Sequence, residues 1–493
     1  MVIGSDIGYF SMKLAYTDRT GQPVGVRNPN GGSSTRSFLY AKPDGGWLVG
    51  DPAYEQAFVD PKNAMCEFKL MLGSTEKPLA GKNAEELTAV LLEHGKELVK
   101  KQTGDSIDAA VAAVPAEFDD VQKKALLRAY ELAGIPVLRL ISEPAAASFA
   151  YAEQRNTSAR GDKFAVYDLG GGTLDITICE FDCDEVRVLA TNGERELGGY
   201  KMDKQLGALI INKLAQATQC DARTLAADPL FMLDLAPRIT NAKVALGSRD
   251  EVQIPLAAAG KQHVITVLRD EFEALIAPIV DRTLDRFDEC VKSAKITCKE
   301  LTSLFLVGGP SRMPYLQGRV ATHTGMVPRC EIDPEMAVAY GAALVAQSEL
   351  KKQGKRDRLG SDVIPPPRRV IGEITHHGIG VAVEDQTNGT TRIINAVVVP
   401  QNTKIPSRHS KRFRLESPDQ RDALIQILQG DDRAELKDCR VIASLEITGM
   451  PIEVARSPRI EVTFDFDKNG LVTVTARDII GGDDTSTTIQ IPK

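Results

Sequence analysis

The sequence predicts α/β lobes over roughly the first 350 residues and an antiparallel all-β domain after them, and three observations carry that reading. Apolar strands alternate with amphipathic helices up to about Gln347. Residues 351–369 break all periodicity around a triple proline. Beyond them, apolar and polar residues alternate with the two-residue period of half-buried strands. At 493 residues the chain is too long for one hydrophobic core, and ordinary domain sizes suggest roughly two to four lobes.

The elements follow in order. Val2-Ile-Gly-Ser-Asp-Ile-Gly8 is a strand running into Asp-x-Gly, and Asp108-Ala-Ala-Val-Ala-Ala-Val-Pro115 is a buried strand. A helix opens at Asp119 or Asp120 with Gln122 placed for a capping interaction. It carries Val121, Ala125, Leu126, Ala129, Leu132 and Ala133 at helical spacing until Gly134 and Pro136 stop it. With the next strand, Val137 to Ile141, it forms one βαβ-like step. A longer helix from about Arg269 to Lys295 puts Phe272, Leu275, Ile276, Ile279, Val280, Leu284 and Phe287 on one face, with a kink expected at Pro278. The linker at 351–369 holds seven basic residues, read as a solvated surface, and Pro365 to Pro367 as a polyproline II segment. Strands follow at 423–428, 440–447 and 460–466, the last joined through Asp467-Lys-Asn-Gly470 to 471–476 as a hairpin, and the pattern ends at 485–491. The predicted domains are therefore 1–350, 351–369 as linker, and 370–493.

Composition excludes several classes. A net charge of −7 gives no support for a nucleic-acid binder. Eight cysteines (66, 179, 183, 220, 290, 298, 330, 439) form no CxxC pair and the six histidines sit apart from them, so neither a zinc site nor a disulfide framework is signalled. Reduced, mostly buried thiols are expected. No run approaches 18 apolar residues, and Asp6 arrives before any signal-peptide core could form, so no membrane association and a cytoplasmic location are expected.

The chemistry concentrates in Ala165-Val-Tyr-Asp-Leu-Gly-Gly-Gly-Thr-Leu-Asp175, a short strand followed by three glycines between two carboxylates. Gly170, Gly171 and Gly172 let the backbone turn tightly and bring bare N–H groups to phosphoryl oxygens, while Asp168 and Asp175 suit a hydrated Mg²⁺. A plain hairpin turn is the structural alternative. The phosphate reading is favoured by the weaker copy at Val2 to Gly8, about 160 residues earlier. Two such turns facing each other would grip a nucleotide from both sides.

That turn, together with Ile141-Ser-Glu-Pro-Ala-Ala-Ala-Ser-Phe-Ala-Tyr151, Leu306-Val-Gly-Gly-Pro-Ser-Arg-Met-Pro314 and Asp333-Pro-Glu-Met-Ala-Val-Ala-Tyr-Gly-Ala-Ala343, resembles the nucleotide-domain motifs of the heat-shock protein 70 (DnaK-type) chaperones. Asn402-Thr-Lys-Ile-Pro406, Leu428-Gln-Gly430 and Ile460-Glu-Val-Thr-Phe-Asp465 resemble that family's β domain. The resemblance implies an α/β actin-like two-lobed ATPase domain, then an all-β sandwich that binds peptide; no helical segment follows the last strand pattern, so no C-terminal helical lid is expected. It implies ATP/ADP and Mg²⁺ as cofactors, with K⁺ as a further cation. It also implies unfolded or extended polypeptide, a J-domain co-chaperone and a nucleotide exchange factor as partners.

Residue by residue, the resemblance makes Asp6 and Asp168 the holders of the waters around Mg²⁺, with Gly8, Tyr9, Phe10, the three glycines and Thr173 as the phosphate cradle. Lys69 matches the lysine that orients attacking water, Glu143 a carboxylate near the metal, and Asp175 the second acid of the cradle. Composition alone would make Lys69 a surface lysine and Glu143 an N-terminal helix acid. Gly198 and Gly199, Lys243, Gly308, Gly309, Arg312 and Glu335 match the sugar and base side, Arg312 as the guanidinium stacked on adenine. Pro115 and Lys123 match the relay toward the linker, and Val381, Ala423 and Ile425 the apolar peptide pocket.

The departures matter as much. Two threonines of the family are here Tyr9 and Phe10, which implies that nucleotide binding survives better than hydrolysis. A second stacking arginine is Val244, a neighbouring serine is Gly247, and an aspartate is Glu335. The relay arginine is Lys123, which cannot make a bidentate pair. The linker's leucine-rich strand shrinks to Val363-Ile364, and Glu384 and Glu416 fall beside the peptide cleft. Without a lid, peptide release is expected to be fast in any nucleotide state. Three readings compete: a slow ATPase chaperone, a nucleotide-binding scaffold or sensor for one dedicated partner, and a small-molecule kinase on the same architecture. The kinase reading needs a catalytic aspartate and a sugar-binding insertion that the sequence does not show.

Overall fold

The computed structural model describes residues 1–116, 118–154, 160–182, 185–258, 260–352, 370–387, 390–415, 417, 420–450, 459–480 and 486–490. The predicted linker lies outside them from residue 353 onward, including Val363, Ile364 and the three prolines, as do Cys183 and Glu416. The chain divides into two compact units. One is Met1–Glu117, Ala129–Leu138 and Ser142–Ile371, and the other is Phe118–Arg128, Arg139–Ile141 and Gly372–Lys493.

The first unit is built on two mixed sheets with one recurring plan. In the first, Val2–Ile7 pairs antiparallel with Ser11–Thr17 on one side and parallel with Ala109–Val114 on the other. In the second, Lys163–Leu169 pairs antiparallel with Thr173–Asp182 and parallel with Leu301–Val307. Glu185–Arg195 extends this second sheet, and Val370–Ile371 adds to its edge in parallel. Each central strand therefore ends in a tight turn beside a parallel neighbour. Strands buried on both faces read as unbroken apolar runs, which is why 109–114 and 163–169 lack alternation.

Helices cover these sheets where glycine permits. An ideal Cβ on Gly4 would lie 2.0 Å from Ala343 N, and one on Gly341 would lie 1.7 Å from Ala146 O. The helix Ala337–Lys352 thus rests directly on the strand Val2–Ile7 and on the helix Glu143–Gln154. The capping interaction expected at 119–122 is present: Gln122 N donates to Asp119 Oδ1 at 2.9 Å and Asp119 N to Gln122 Oε1 at 3.3 Å. Within the helix Asp120–Leu132 the inward residue near the end is Tyr130, not Leu132, which is 40% exposed. Tyr130 is polar at its tip, so its buried hydroxyl needs a partner, and Ser5 Oγ supplies one at 2.5 Å. Pro278 does sit inside the helix Arg269–Ser293. The seven described cysteines are free.

The second unit is a sandwich of two four-stranded sheets. One runs Thr390–Val399, Ile379–Thr387, Ala423–Gln429, Arg440–Ile447, and the other Ser407–Phe413, Ile460–Phe466, Val472–Asp478, Ser486–Gln490. A single core that includes Ile427, Val462, Phe464 and Val474 fills the space between them. Arg459 and Asp478 form a buried pair through two parallel bonds of 2.7 and 2.6 Å. Also inside this unit, Lys123 Nζ donates to Gly470 O at 3.0 Å and Val472 N to Asp120 Oδ2 at 3.0 Å. Burial, with Lys123 and His377 nearby, lowers the His376 imidazole to about 3.

Gly341→Ala would force apart the helices 337–352 and 143–154, a steric cost of roughly 1–3 kcal/mol. A lower urea midpoint is expected, and an unchanged one would contradict the close crossing.

Candidate functional site

The two glycine turns are built alike. Gly8 N donates to Ser11 O at 2.9 Å and Gly170 N to Thr173 O at 2.9 Å, so each strand folds back at the same point after its aspartate. Asp6 then stands opposite Lys13 across the first hairpin, as Asp168 stands opposite Asp175 across the second. Directly opposed residues share a face of the sheet. The segment 198–200 docks on the second turn, with Gly199 N bonded to Gly170 O at 3.0 Å and Tyr200 N to Gly171 O at 2.7 Å. A Cβ on Gly198 would lie 2.8 Å from Gly170 O, so this approach requires glycine. Among the described residues, no backbone carbonyl accepts from the amides of Tyr9, Phe10, Gly171 and Gly172. Those four N–H groups, two from each turn, are open donors of the kind that bind phosphate.

Charge gathers behind the turns. Lys13 Nζ donates to Asp6 Oδ2 at 3.1 Å, and Lys69 Nζ to Glu143 Oε1 at 3.0 Å. Glu143 opens the helix Glu143–Gln154, and Lys69 lies in the short 3₁₀ turn Phe68–Met71. Burial, then the Glu143 and Asp6 carboxylates, push the Asp168 carboxyl well above the usual range, against the opposing charge of Lys13. Burial likewise raises Glu143, with Lys69 opposing and Asp6 reinforcing. For Lys13 burial acts downward, but Asp6 outweighs it and the ammonium is held above its ordinary value, aided by Glu335 and Glu143. The structure thus brings Asp6, Glu143, Asp168, Lys13 and Lys69 into one electrostatic cluster.

This cluster suits a hydrated cation. No group of three His, Cys, Asp or Glu side chains among the described residues could ligate a metal directly. Mg²⁺, which keeps several waters, fits such a set of carboxylates through those waters. Asp6 and Asp168 are the residues that would hold it.

Three aromatic rings stand at the mouth of the turns. Phe10, 44% exposed, packs on the second turn, since a Cβ on Gly171 would lie 2.3 Å from its ring. Tyr9 lies over Gly172. Its ring meets Phe10 edge-on at 4.6 Å and Tyr200 at 5.6 Å, and Phe10 lies 6.2 Å from Tyr200. Burial and a hydrogen bond to Glu67 raise the Tyr9 phenol. Glu67 holds this position from a left-handed conformation with φ 65°.

The sugar and base residues are placed unequally. Gly308, at φ 84°, approaches Leu169 O so closely that a Cβ would lie 2.1 Å from it, and Gly309 passes beside Glu335. Lys243 is bound to Asp203 at 2.8 Å. Arg312 is held by Asp333 at 2.6 Å, with Glu335 at 3.9 Å, so its guanidinium stays at the exposed rim in an acidic clasp. Val244 is 68% exposed. Pro115 is buried just after the strand Ala109–Val114, and Lys123 belongs to the second unit. Val381, Ala423 and Ile425, which the resemblance matches to the peptide pocket, are core side chains of the sandwich, turned inward by the period-two alternation of their strands. Leu424, between the last two, is the outward one at 68% exposure. Glu384 is exposed.

Sequence reasoning missed Lys13, Glu67, Tyr200, Asp203 and Asp333. Lys13 had a legible signal, since it follows Asp6 by the interval that separates Asp175 from Asp168.

The class to which the fold points is the Hsp70 family, whose members are chaperone-type, ATP-binding proteins. The model of the Hsp70 protein family matches residues 75–493, and the chain belongs to that family. The matched stretch takes in the second turn and the β-sandwich and begins after the first turn, where Tyr9, Phe10 and Lys13 lie. No helix among the described residues is long and apolar enough to cross a membrane.

Asp168 gives a pH test. A carboxyl whose folded-state pKa is raised favours folding most while protonated and loses that contribution as pH rises from the unfolded value toward the folded one. Ligand-free Asp168→Asn should therefore melt a few degrees above wild type near pH 7, with the gap closing toward pH 4. A variant that melts lower at pH 7 would place Asp168 elsewhere than in a repulsive carboxylate cluster.

Proposed function

We propose that this protein binds an adenine nucleotide between its two glycine turns, hydrolyses ATP slowly, and uses that cycle to control transient binding of extended polypeptide. The observation that supports it is the pairing of four open amides with a buried cluster of three carboxylates and two lysines. The amides donate to phosphoryl oxygens, Lys69 beside Glu143 offsets charge at the terminal phosphoryl and orients water, and Mg²⁺, when bound, neutralises phosphate charge. Positioning and electrostatics account for most of phosphoryl-transfer catalysis, so small changes near the terminal phosphoryl have large effects on rate.

The rings favour a slow reaction. Tyr9 and Phe10 put apolar surface where hydroxyls would order water, and Phe10 partly covers Gly171. The second reading, a nucleotide-binding scaffold or sensor with little hydrolysis and a dedicated partner, rests on the same observation. On the sandwich, outward Leu424, Val441 and Ile393 are among the apolar positions open to polypeptide. A J-domain co-chaperone and an exchange factor are the partners expected of the family.

Single-turnover hydrolysis of radiolabelled ATP tests this proposal. Slow turnover is expected in wild type, a rise of about tenfold or more in the Tyr9→Thr/Phe10→Thr double variant, and loss of turnover in Lys69→Ala. ATP that binds by calorimetry yet stays intact in all three favours the sensor reading. No detectable ATP binding by wild type would overturn both.

A further inference from the structure

The two turns differ at one equivalent position. Opposite the aspartate, the second hairpin places another acid, Asp175, and the first places Lys13. The Lys13 side chain is 14% exposed, although lysine is seldom buried unless paired. Its ammonium bonds Asp6 at 3.1 Å. It also comes to the inner side of the first phosphate turn, where a Cβ on Gly8 would lie 3.3 Å from Nζ. Glu143, Asp168 and Glu335 are close enough to interact with it electrostatically. Lys69 is taken up by Glu143. Three carboxylates around one crevice would repel a phosphate chain, and Lys13 is a cation that bonds Asp6 and reaches Gly8, the residue before the open amides of Tyr9 and Phe10.

We propose that Lys13 is a phosphate-binding residue of this site, a resident cation that pairs with Asp6 when the site is empty and turns its charge to the phosphoryl oxygens of a nucleoside diphosphate or triphosphate when it is filled. The proposal rests on the nucleotide reading above. Lysine suits the role because its ammonium is a compact charge on a flexible stem that can leave a carboxylate for a nearby phosphate without moving the backbone. Lys13 therefore supplies phosphate affinity that does not depend on a divalent cation.

The test compares ADP with adenosine on the full chain, with divalent cations removed by EDTA so that protein charge alone acts on the phosphates. Calorimetry should show wild type binding ADP at least tenfold more tightly than adenosine. Lys13→Met should lose that preference while keeping its adenosine affinity, and Lys13→Arg, which keeps the charge, should retain most of it. Wild type that binds ADP no more tightly than adenosine in EDTA overturns the proposal without any variant, so a Lys13→Met chain that fails to fold does not shield it. Equal losses for ADP and adenosine in Lys13→Met also overturn it, by showing a structural role. If neither ligand binds wild type, with or without Mg²⁺, the nucleotide reading falls together with this one. If ADP binds only with Mg²⁺, this proposal falls alone.

Discussion

Burying several carboxylates in one crevice is the constraint on which the site depends. An unpaired carboxylate is costly away from water, and Asp6 raises that cost for Glu143 while both raise it for Asp168. The fold meets this with two ammonium groups, Lys13 on Asp6 and Lys69 on Glu143. The remaining strain falls on Asp168, whose carboxyl is pushed well above its usual range by burial and by its two acidic neighbours. Such a group gains from any cation that enters the crevice. A hydrated metal ion and a phosphate chain together supply charge of both signs in the places where this crevice lacks it.

The crevice is made by repetition of one plan in two sheets. Each central strand is buried, flanked by a parallel neighbour, and turned back by glycine just after an aspartate. Parallel strands need helical crossovers; the helix 337–352 packs closely on the first sheet and against the helix 143–154, which in turn packs mainly on the second. Their contact is possible because Gly4 and Gly341 carry no side chain. The crossing fixes the start of helix 143–154, and with it Glu143, relative to Asp6. Packing between helices outside the glycine turns thus decides where a charge stands.

Divergence is unevenly spread over this plan. The second turn keeps small residues and two acids, and it lies within the stretch matched by the family model. The first turn carries two rings and a lysine. Rings offer no small hydroxyls to order water, whereas a lysine brings positive charge. Binding an anion needs only net attraction, whereas hydrolysis needs an ordered water at a set distance.

Much of this was legible in the sequence. The α/β pattern, the later switch to two-residue alternation, the cap at Asp119 and Gln122, and both aspartate-glycine turns follow from local periodicity and from the backbone freedom of glycine. Those are properties of neighbouring residues, so the chain alone determines them. Tertiary structure decided what depends on residues far apart: that the Asp6–Lys13 pair of the first hairpin lies in one cluster with Glu143 and Asp168, that Tyr200 joins Tyr9 and Phe10, and that Asp333 clasps Arg312. It also placed Val381, Ala423 and Ile425 in the sandwich core, because alternation names two faces but only the second sheet says which one is covered. Long-range pairing of charges and the choice of buried face are settled by packing in three dimensions, and no local pattern encodes them.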